Sequence, residues 1–301
     1  MKEVVNSICR LEFGEETDDI EEIVGGLNSR TYRVSIRDEV YIVQIGETSE
    51  PHELENCVKS FRFLKGFDIP VPEVIRGLTE FEEYYFTVVS YIDGEALGNN
   101  FSSETAFNAG RQLAKIHNSK SFDEPGWIEW EEGEPKVVGF PNGTLRKRIE
   151  ELMEERQDYF EEEGLSELAE LTQKFLEEHL RKVPDDFQPV FVHHDFNPGN
   201  LISKNGKINA VLDLDYAHSS HSHRDLAKAS NKFWLRGGKR KDIYNGYEKV
   251  RKIDESFKQN KYVYQMESLL DEIASMLQHN HITKQEALKY CKELKRIDSQ
   301  L

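Results

Sequence analysis

Between residues 20 and 92 the apolar and β-branched residues recur mainly at alternate positions, and past Asp93-Gly94 they recur every three or four. A strand turns every second side chain to one face and a helix every third or fourth. A chain with this switch is expected to build a sheet first and helices afterwards. Residues 20–24, 31–36 and 39–45 read as antiparallel strands after an opening helix over 4–11. A helical stretch over 52–64 ends near Gly66, and Ile69-Pro70-Val71-Pro72 then forces extended backbone. Strands over 73–78 and 84–92 complete a five-stranded antiparallel sheet with one helix. Residues 145–163, 165–181, 266–279 and 283–297 read as amphipathic helices with charged outer faces. The expected class is α+β, divided at residues 1–93 and 94–301.

Within the helical part lies the run His193-His194-Asp195-Phe196-Asn197-Pro198-Gly199-Asn200. The spacing His193-x-Asp195-x-x-x-x-Asn200 matches a kinase catalytic loop, in which the Asp receives the acceptor's proton and the Asn amide oxygen holds magnesium. Asp213, in Val211-Leu212-Asp213-Leu214-Asp215, stands where a second metal-binding carboxylate is needed. Lys204-Asn205-Gly206-Lys207 reads as a turn between two short apolar segments. A hairpin there carries Asn200 and Asp213 to the same end, where they can share one cation. Moving a phosphoryl group needs little covalent help and much charge neutralisation and alignment. Asp195 as base with Asn200 and Asp213 as Mg2+ ligands is the minimum set for that chemistry.

These residues resemble the aminoglycoside phosphotransferase family, the small-molecule branch of the protein-kinase-like fold. Pro198-Gly199-Asn200 agrees with the family pattern, whereas His194 replaces the usual small residue between the His and the Asp. Arg224-Asp225-Leu226-Ala227 resembles the family's Asp-Leu-Ala, which implies that Asp225 is a buried acceptor bracing the loop. Leu113-Ala114-Lys115-Ile116-His117 resembles its Leu-Ala-x-x-His helix, with His117 in a packing role. The resemblance implies a bilobal fold with an N-terminal nucleotide-binding lobe and a C-terminal catalytic and acceptor-binding lobe. It further implies ATP or GTP as the donor and an aminoglycoside, amino sugar, amino alcohol or related polyol as the acceptor.

On the nucleotide side, Val24-Gly25-Gly26-Leu27-Asn28-Ser29 lies between the first two strands, where glycines let main-chain amides approach phosphates. The resemblance implies a flap over the phosphates carried by Gly25, Gly26, Asn28 and Ser29. It also implies a hinge that cups the base at Ser90, Tyr91 and Ile92. The third strand departs from the pattern: relatives carry a phosphate-binding Lys or Arg where this chain has Gln44, and an amide donates a hydrogen bond but no full charge. The paired carboxylate is equally unsettled, because its position falls near Cys57, with Glu53 one turn earlier on the same face. A nucleotide-binding pseudokinase with little turnover is therefore the alternative. A third class, a zinc protein built on His218, His221 and His223, rests on three imidazoles in a Ser-rich segment without a nearby Cys. That segment is expected to line the acceptor side.

Composition narrows the partners. The formal charge of −17 repels phosphate backbones, which excludes nucleic acid and suits a cationic or polyol acceptor. Its acidic residues are spread over several segments and read first as a solvated surface. No apolar stretch approaches the roughly 20 residues needed to cross a bilayer. The first residues have no apolar core with a cleavage site, and Cys9, Cys57 and Cys291 are odd in number and far apart. A cytoplasmic monomer or weak homodimer is expected, with a nucleotide and a small-molecule acceptor as partners and no membrane.

Overall fold

The computed structural model describes residues 1–17, 19–23, 30–47 and 51–301. Two compact units result: residues 1–98 with 130–134 and 199–217, and residues 99–129 with 135–198 and 218–301. Among the described residues no helix is long and apolar enough to cross a membrane.

In the first unit, helix α1 (Lys2–Phe13) precedes strands β1 (Ile20–Ile23), β2 (Arg30–Ile36) and β3 (Glu39–Glu47). Helix α2 (Pro51–Lys65), β4 (Val74–Phe81), β5 (Tyr84–Ser90) and the short β6 (Glu95–Ala96) follow. The five longer strands form one antiparallel sheet in the order β1-β2-β3-β5-β4. Alternation sets its faces: Tyr32, Val34 and Ile36 of β2 are buried while their neighbours are not. The inward side chains pack on Val5, Ile8 and Cys9, spaced three and four apart on α1, together with Val43, Ile45, Phe86 and Val88. The five-stranded sheet and its helix thus agree with the sequence expectation.

The second unit opens with α3 (Ser103–Ser119), whose first turn is closed by Ser102 Oγ accepting from Thr105 N at 3.0 Å. Next come β7 (Gly126–Glu131), β8 (Glu134–Gly139), α4 (Leu145–Glu162), α5 (Ser166–Lys174) and β9 (Pro189–Val192). Strands β10 (Leu201–Lys204) and β11 (Lys207–Val211) return the chain to the first unit. Strand β12 (His218–His221) and helices α6 (Ser222–Gly237), α7 (Arg240–Tyr247), α8 (Phe257–Gln278), α9 (Lys284–Lys289) and α10 (Cys291–Asp298) complete the second.

Several boundaries differ from expectation. The strands β7 and β8 lie in a region read as helical, and their acidic, exposed alternate positions hid the strand period. The expected helix over 165–181 ends at Lys174 and continues as a π turn and a 3-10 turn, Phe175–His179 and Leu180–Lys182. Helix α8 begins nine residues before the expected 266, because the Asn260 and Gln265 side chains are buried against His223 and Ser230, partners that a polarity pattern does not reveal. The expected helix over 283–297 is two, α9 and α10, broken at Tyr290. Helices α3 and α7 cross at two glycines: a Cβ on Gly110 would lie 2.1 Å from Ile243 O, and one on Gly246 only 1.8 Å from Phe107 O.

Candidate active site

Strand β9 is wholly buried and delivers the chain to His193, itself buried. The loop that follows is fastened to α6 at three levels. At the first, the buried Asp225 carboxylate accepts from His193 N at 2.9 Å and from His194 N at 3.0 Å. It also meets His117 Nε2 at 3.0 Å, whose Nδ1 is 2.7 Å from Tyr247 Oη. Burial alone would push the Asp225 carboxyl up, but its hydrogen bonds and the neighbouring imidazoles hold it below the ordinary value. At the second level, Lys232 Nζ forms an ion pair with Asp195 Oδ1 and another with Glu272 Oε2 at 3.0 Å. At the third, Phe196 and Phe233 stack with ring centroids 6.4 Å apart.

Asp195 is consequently locked in place and in charge state. Asn197 Nδ2 donates to its carboxylate at 2.9 Å, and Asp195 N donates to His193 Nδ1 at 3.3 Å. Burial opposes ionisation, yet the ammonium charges of Lys232 and Lys228 outweigh it and hold the Asp195 carboxyl far below the usual carboxylate range. In turn, Asp195 and Glu272 raise the Lys232 ammonium against its own burial. His194 sits at φ 69°, a left-handed conformation that costs a side chain about 1–2 kcal/mol. That is a physical reason for the small residue relatives carry there.

In the first unit, the β10–β11 hairpin closes through Asn205 at φ 53° and Gly206 at φ 76°, the pair of positive angles a two-residue type I′ turn requires. Leu201 faces Val211 across the ladder, and Leu212 N donates to Asn200 O at 2.9 Å. Asn200 and Asp213 therefore emerge side by side, with Asn200 Nδ2 donating to Asp213 Oδ2 at 3.1 Å. Asp213 is exposed and left-handed at φ 60°. Its segment is held by Asn56 of α2, whose Nδ2 donates to Asp215 O at 2.7 Å and Ala217 O at 3.0 Å while its Oδ1 accepts from Trp130 Nε1 at 2.9 Å. An amide and a carboxylate are hard oxygen donors, and magnesium commonly takes one or two protein ligands, phosphate oxygens and water. This donor set fits Mg2+ bound together with a nucleotide.

Gln44 lies on β3 between Thr31 of β2 and Thr87 of β5, with a long hydrogen bond of 3.5 Å from Thr87 Oγ1. On α2, Glu53 accepts from Tyr216 Oη at 2.9 Å, Glu55 pairs with Lys59 at 2.6 Å, and Cys57 is buried. Ser90 N donates to Glu73 O at 2.8 Å and Tyr91 N to Val40 O at 3.3 Å. A base held by either residue would therefore meet a carbonyl oxygen, while Ile92 is half-buried next to them. Gly25, Gly26, Asn28 and Ser29 lie outside the described residues.

The histidine segment departs from its expected place. It is a buried strand, β12, paired with β9 and bridged to Gly126 of β7, instead of an acceptor-side loop. His221 Nδ1 is 2.9 Å from Tyr264 Oη, and His223 Nε2 is 3.0 Å from Asp254. Burial pushes the His221 imidazole down to about 3. Among the described residues no three His, Cys, Asp or Glu side chains are grouped to hold a metal ion.

Sequence reasoning missed Lys232, Glu272 and Asn56. Lys232 left a signal: Arg224, Lys228, Lys232 and Arg236 recur every four residues along one face of α6. Glu272 and Asn56 left none. Lys232, Arg236, Glu272, Asn231 and Tyr290 also border a cavity of about 350 Å³. A second cavity of similar volume, bordered by Tyr159, His281 and Lys284, shares none of these residues.

Asp195 is thus kept ionised by Lys232 in the second unit, and Asn200 and Asp213 form an amide–carboxylate pair in the first. The sequence matches the phosphotransferase enzyme family over residues 19–254, and this chain belongs to it. No curated protein matches the sequence. Solved structures share its fold at low identity. Aminoglycoside phosphotransferase APH(4)-Ia, in a ternary complex with AMP-PNP and hygromycin B, superposes with a TM-score of 0.72 at 17% identity, covering 97% of this chain and 98% of that one. A Thermobifida fusca protein provisionally assigned as a fructosamine-3-kinase gives 0.71 at 18% identity, covering 99% of both chains. Spectinomycin phosphotransferase APH(9)-Ia with ADP and spectinomycin gives 0.68 at 16%, covering 99% and 98%. The fold is thus the α+β, kinase-like one of small-molecule phosphotransferases.

Proposed function

We propose that this protein transfers the γ-phosphoryl group of ATP or GTP to a hydroxyl of a small molecule. The carrying observation is the pairing of Asn200 with Asp213 at one end of a hairpin, five residues after an aspartate that a lysine holds ionised. Asp195 accepts the hydrogen bond of the incoming hydroxyl, aims its oxygen at phosphorus and takes up its proton as the new bond forms. Asn200 and Asp213 would hold Mg2+, which supplies charge neutralisation on the phosphates when bound. Ser90, Tyr91 and Ile92 would receive the base, and Gly25, Gly26, Asn28, Ser29 and Gln44 the phosphates. Nucleotide binding falls to residues 1–93 and acceptor binding to 94–301.

The acceptor belongs among aminoglycosides, amino sugars, amino alcohols and related polyols, the classes named for the structural neighbours or allied to them. ADP formation against a panel of these compounds tests the reading. Asp195→Asn should lower transfer at least a thousandfold and leave binding of the magnesium nucleotide within threefold. Transfer surviving in that variant would remove Asp195 from the reaction. A second reading, a nucleotide-binding protein with little turnover, is favoured by Gln44 on β3 and Cys57 on α2. Turnover of any acceptor at about 1 s⁻¹ or faster, an ordinary kinase rate, eliminates it.

A further inference from the structure

The cavity of about 350 Å³ bordered by Lys232 lies wholly within the second unit, as does Asp195. Two helix faces wall it, with Lys232, Leu235 and Arg236 on α6 and Leu269, Glu272 and Met276 on α8. The Lys232 ammonium pairs with Asp195 as well as with Glu272, so Asp195 is one side chain away from anything seated in the cavity. The charges on the wall are uneven. Among the described residues that border the cavity Glu272 is the one carboxylate, and its Oε2 is already held by Lys232 Nζ at 3.0 Å. Arg236, one helical turn past Lys232, is exposed and adds a second cation. The Asn231 amide is occupied: its Nδ2 donates to Gln265 O at 3.0 Å and its Oδ1 accepts from Arg240 Nη2 at 3.1 Å. Tyr290 completes the wall, and burial together with the Glu272 charge raises its hydroxyl against the pull of Arg236, which keeps it a donor at neutral pH. In a chain of charge −17, two cations against one engaged carboxylate run counter to the overall trend.

We propose that Arg236 makes this cavity a site for an acceptor that carries a carboxylate, with the Tyr290 hydroxyl as a second donor to that group. The inference rests on the kinase reading and narrows its acceptor to a hydroxy acid, a polyol or amino sugar with one carboxylate end. A guanidinium presents two parallel N–H groups that match the two oxygens of a carboxylate. Lys232 is unsuited to that role because Asp195 and Glu272 already share it. Four residues of helix advance about 6 Å, so the carboxylate at Arg236 and the reacting hydroxyl near Lys232 and Asp195 are held about that far apart, the span of a chain of several carbons. Leu235, Leu269 and Met276 face this skeleton. The volume stands at the low end of the roughly 300–1,000 Å³ of ligand pockets and suits a molecule of monosaccharide size. A polycation would meet like charge from Lys232 and Arg236 and find Glu272 already paired. The transfer itself is unchanged: the hydroxyl oxygen bonds to the γ-phosphorus, the bond to the β–γ bridging oxygen breaks, its electron pair leaves on the nucleoside diphosphate, and the proton passes to Asp195.

Matched acceptors test this on the full chain: gluconate against sorbitol and glucosaminate against glucosaminitol, each pair differing only in carboxylate for alcohol, with kanamycin as a polycationic reference. Steady-state ADP release gives kcat and KM, and calorimetry gives binding. The wild type should use the acid of at least one pair with a kcat/KM about tenfold or more above that of its alcohol. Arg236→Gln should cut this acid-over-alcohol ratio about 10–100-fold, the scale of one charge-assisted pair, and mainly through KM. Arg236→Lys should keep part of the ratio and Arg236→Glu should reverse it. Because Arg236 is exposed, these substitutions should move Tm by about 2 °C or less. A wild type that uses the alcohols or kanamycin as well as the acids overturns the inference and leaves the kinase reading standing. So does an Arg236→Gln loss shared equally by acid and alcohol. If the wild type phosphorylates nothing, the kinase reading fails and calorimetry decides the inference separately. Binding of gluconate or glucosaminate that Arg236→Gln weakens about tenfold or more upholds the carboxylate site, whereas binding left unchanged, or no binding, overturns it.

Discussion

Replacing Asp225 by Ala removes an acceptor serving three donors at once: His193 N at 2.9 Å, His194 N at 3.0 Å and His117 Nε2 at 3.0 Å. The His117 ring is held between Tyr247 Oη at Nδ1 and the Asp225 carboxylate at Nε2, which accepts when the imidazole proton is on Nε2. All these groups are buried or nearly so, and water cannot readily take the place of the carboxylate. An unsatisfied buried donor costs roughly 1–3 kcal/mol, so Asp225→Ala should lose about 3–6 kcal/mol of stability. Urea unfolding followed by tryptophan fluorescence at pH 7 reads this directly. With a slope of about 3 kcal/mol/M, the midpoint should fall by about 1–2 M. The gap should also depend on pH. The folded Asp225 carboxyl lies below its ordinary value, so its contribution is present above the unfolded pKa of about 3.9 and disappears as pH falls through the folded value. The carboxylate's contribution to the difference between wild type and variant should thus be constant from pH 5 upward and shrink below about pH 4. A midpoint change under about 0.3 M at pH 7 would refute the claim that this one side chain fastens the loop to α6.

Two further outcomes follow from the same physics. Gly246→Ala would drive a methyl group into Phe107 O at the α3–α7 crossing, where backbone meets backbone. It should cost at least about 3 kcal/mol by forcing the helices apart; normal expression with an unchanged Tm would show that the crossing yields freely. Acid should destabilise the protein well before its carboxylates titrate, because burial depresses His117, His194, His221 and His223. Each favours the folded state above its unfolded pKa near 6.5 and loses that advantage as pH falls; His221, folded at about 3, alone forgoes about 2 kcal/mol by pH 5. Denaturation midpoints identical at pH 7 and pH 5 would contradict this.

What the sequence determined by itself was local. Strand alternation in β2 and the spacing of Asp195 and Asn200 depend on residues a few positions apart, as does the Asn205-Gly206 turn that brings Asp213 back to Asn200. Short-range sterics and hydrogen bonding fix such features wherever the chain goes. The Gln44 substitution was equally visible, because it asks only which residue occupies one strand position. Tertiary structure alone decided what surrounds the acid. Lys232 reaches Asp195 across 37 residues, Asn56 reaches Asp215 across 159, and His117 meets Asp225 across 108. No period or motif encodes such pairings, since they arise only when packing of separate elements removes water from between them. For the same reason the three histidines of β12 and α6 looked like possible metal ligands in the sequence and prove to be buried parts of a core.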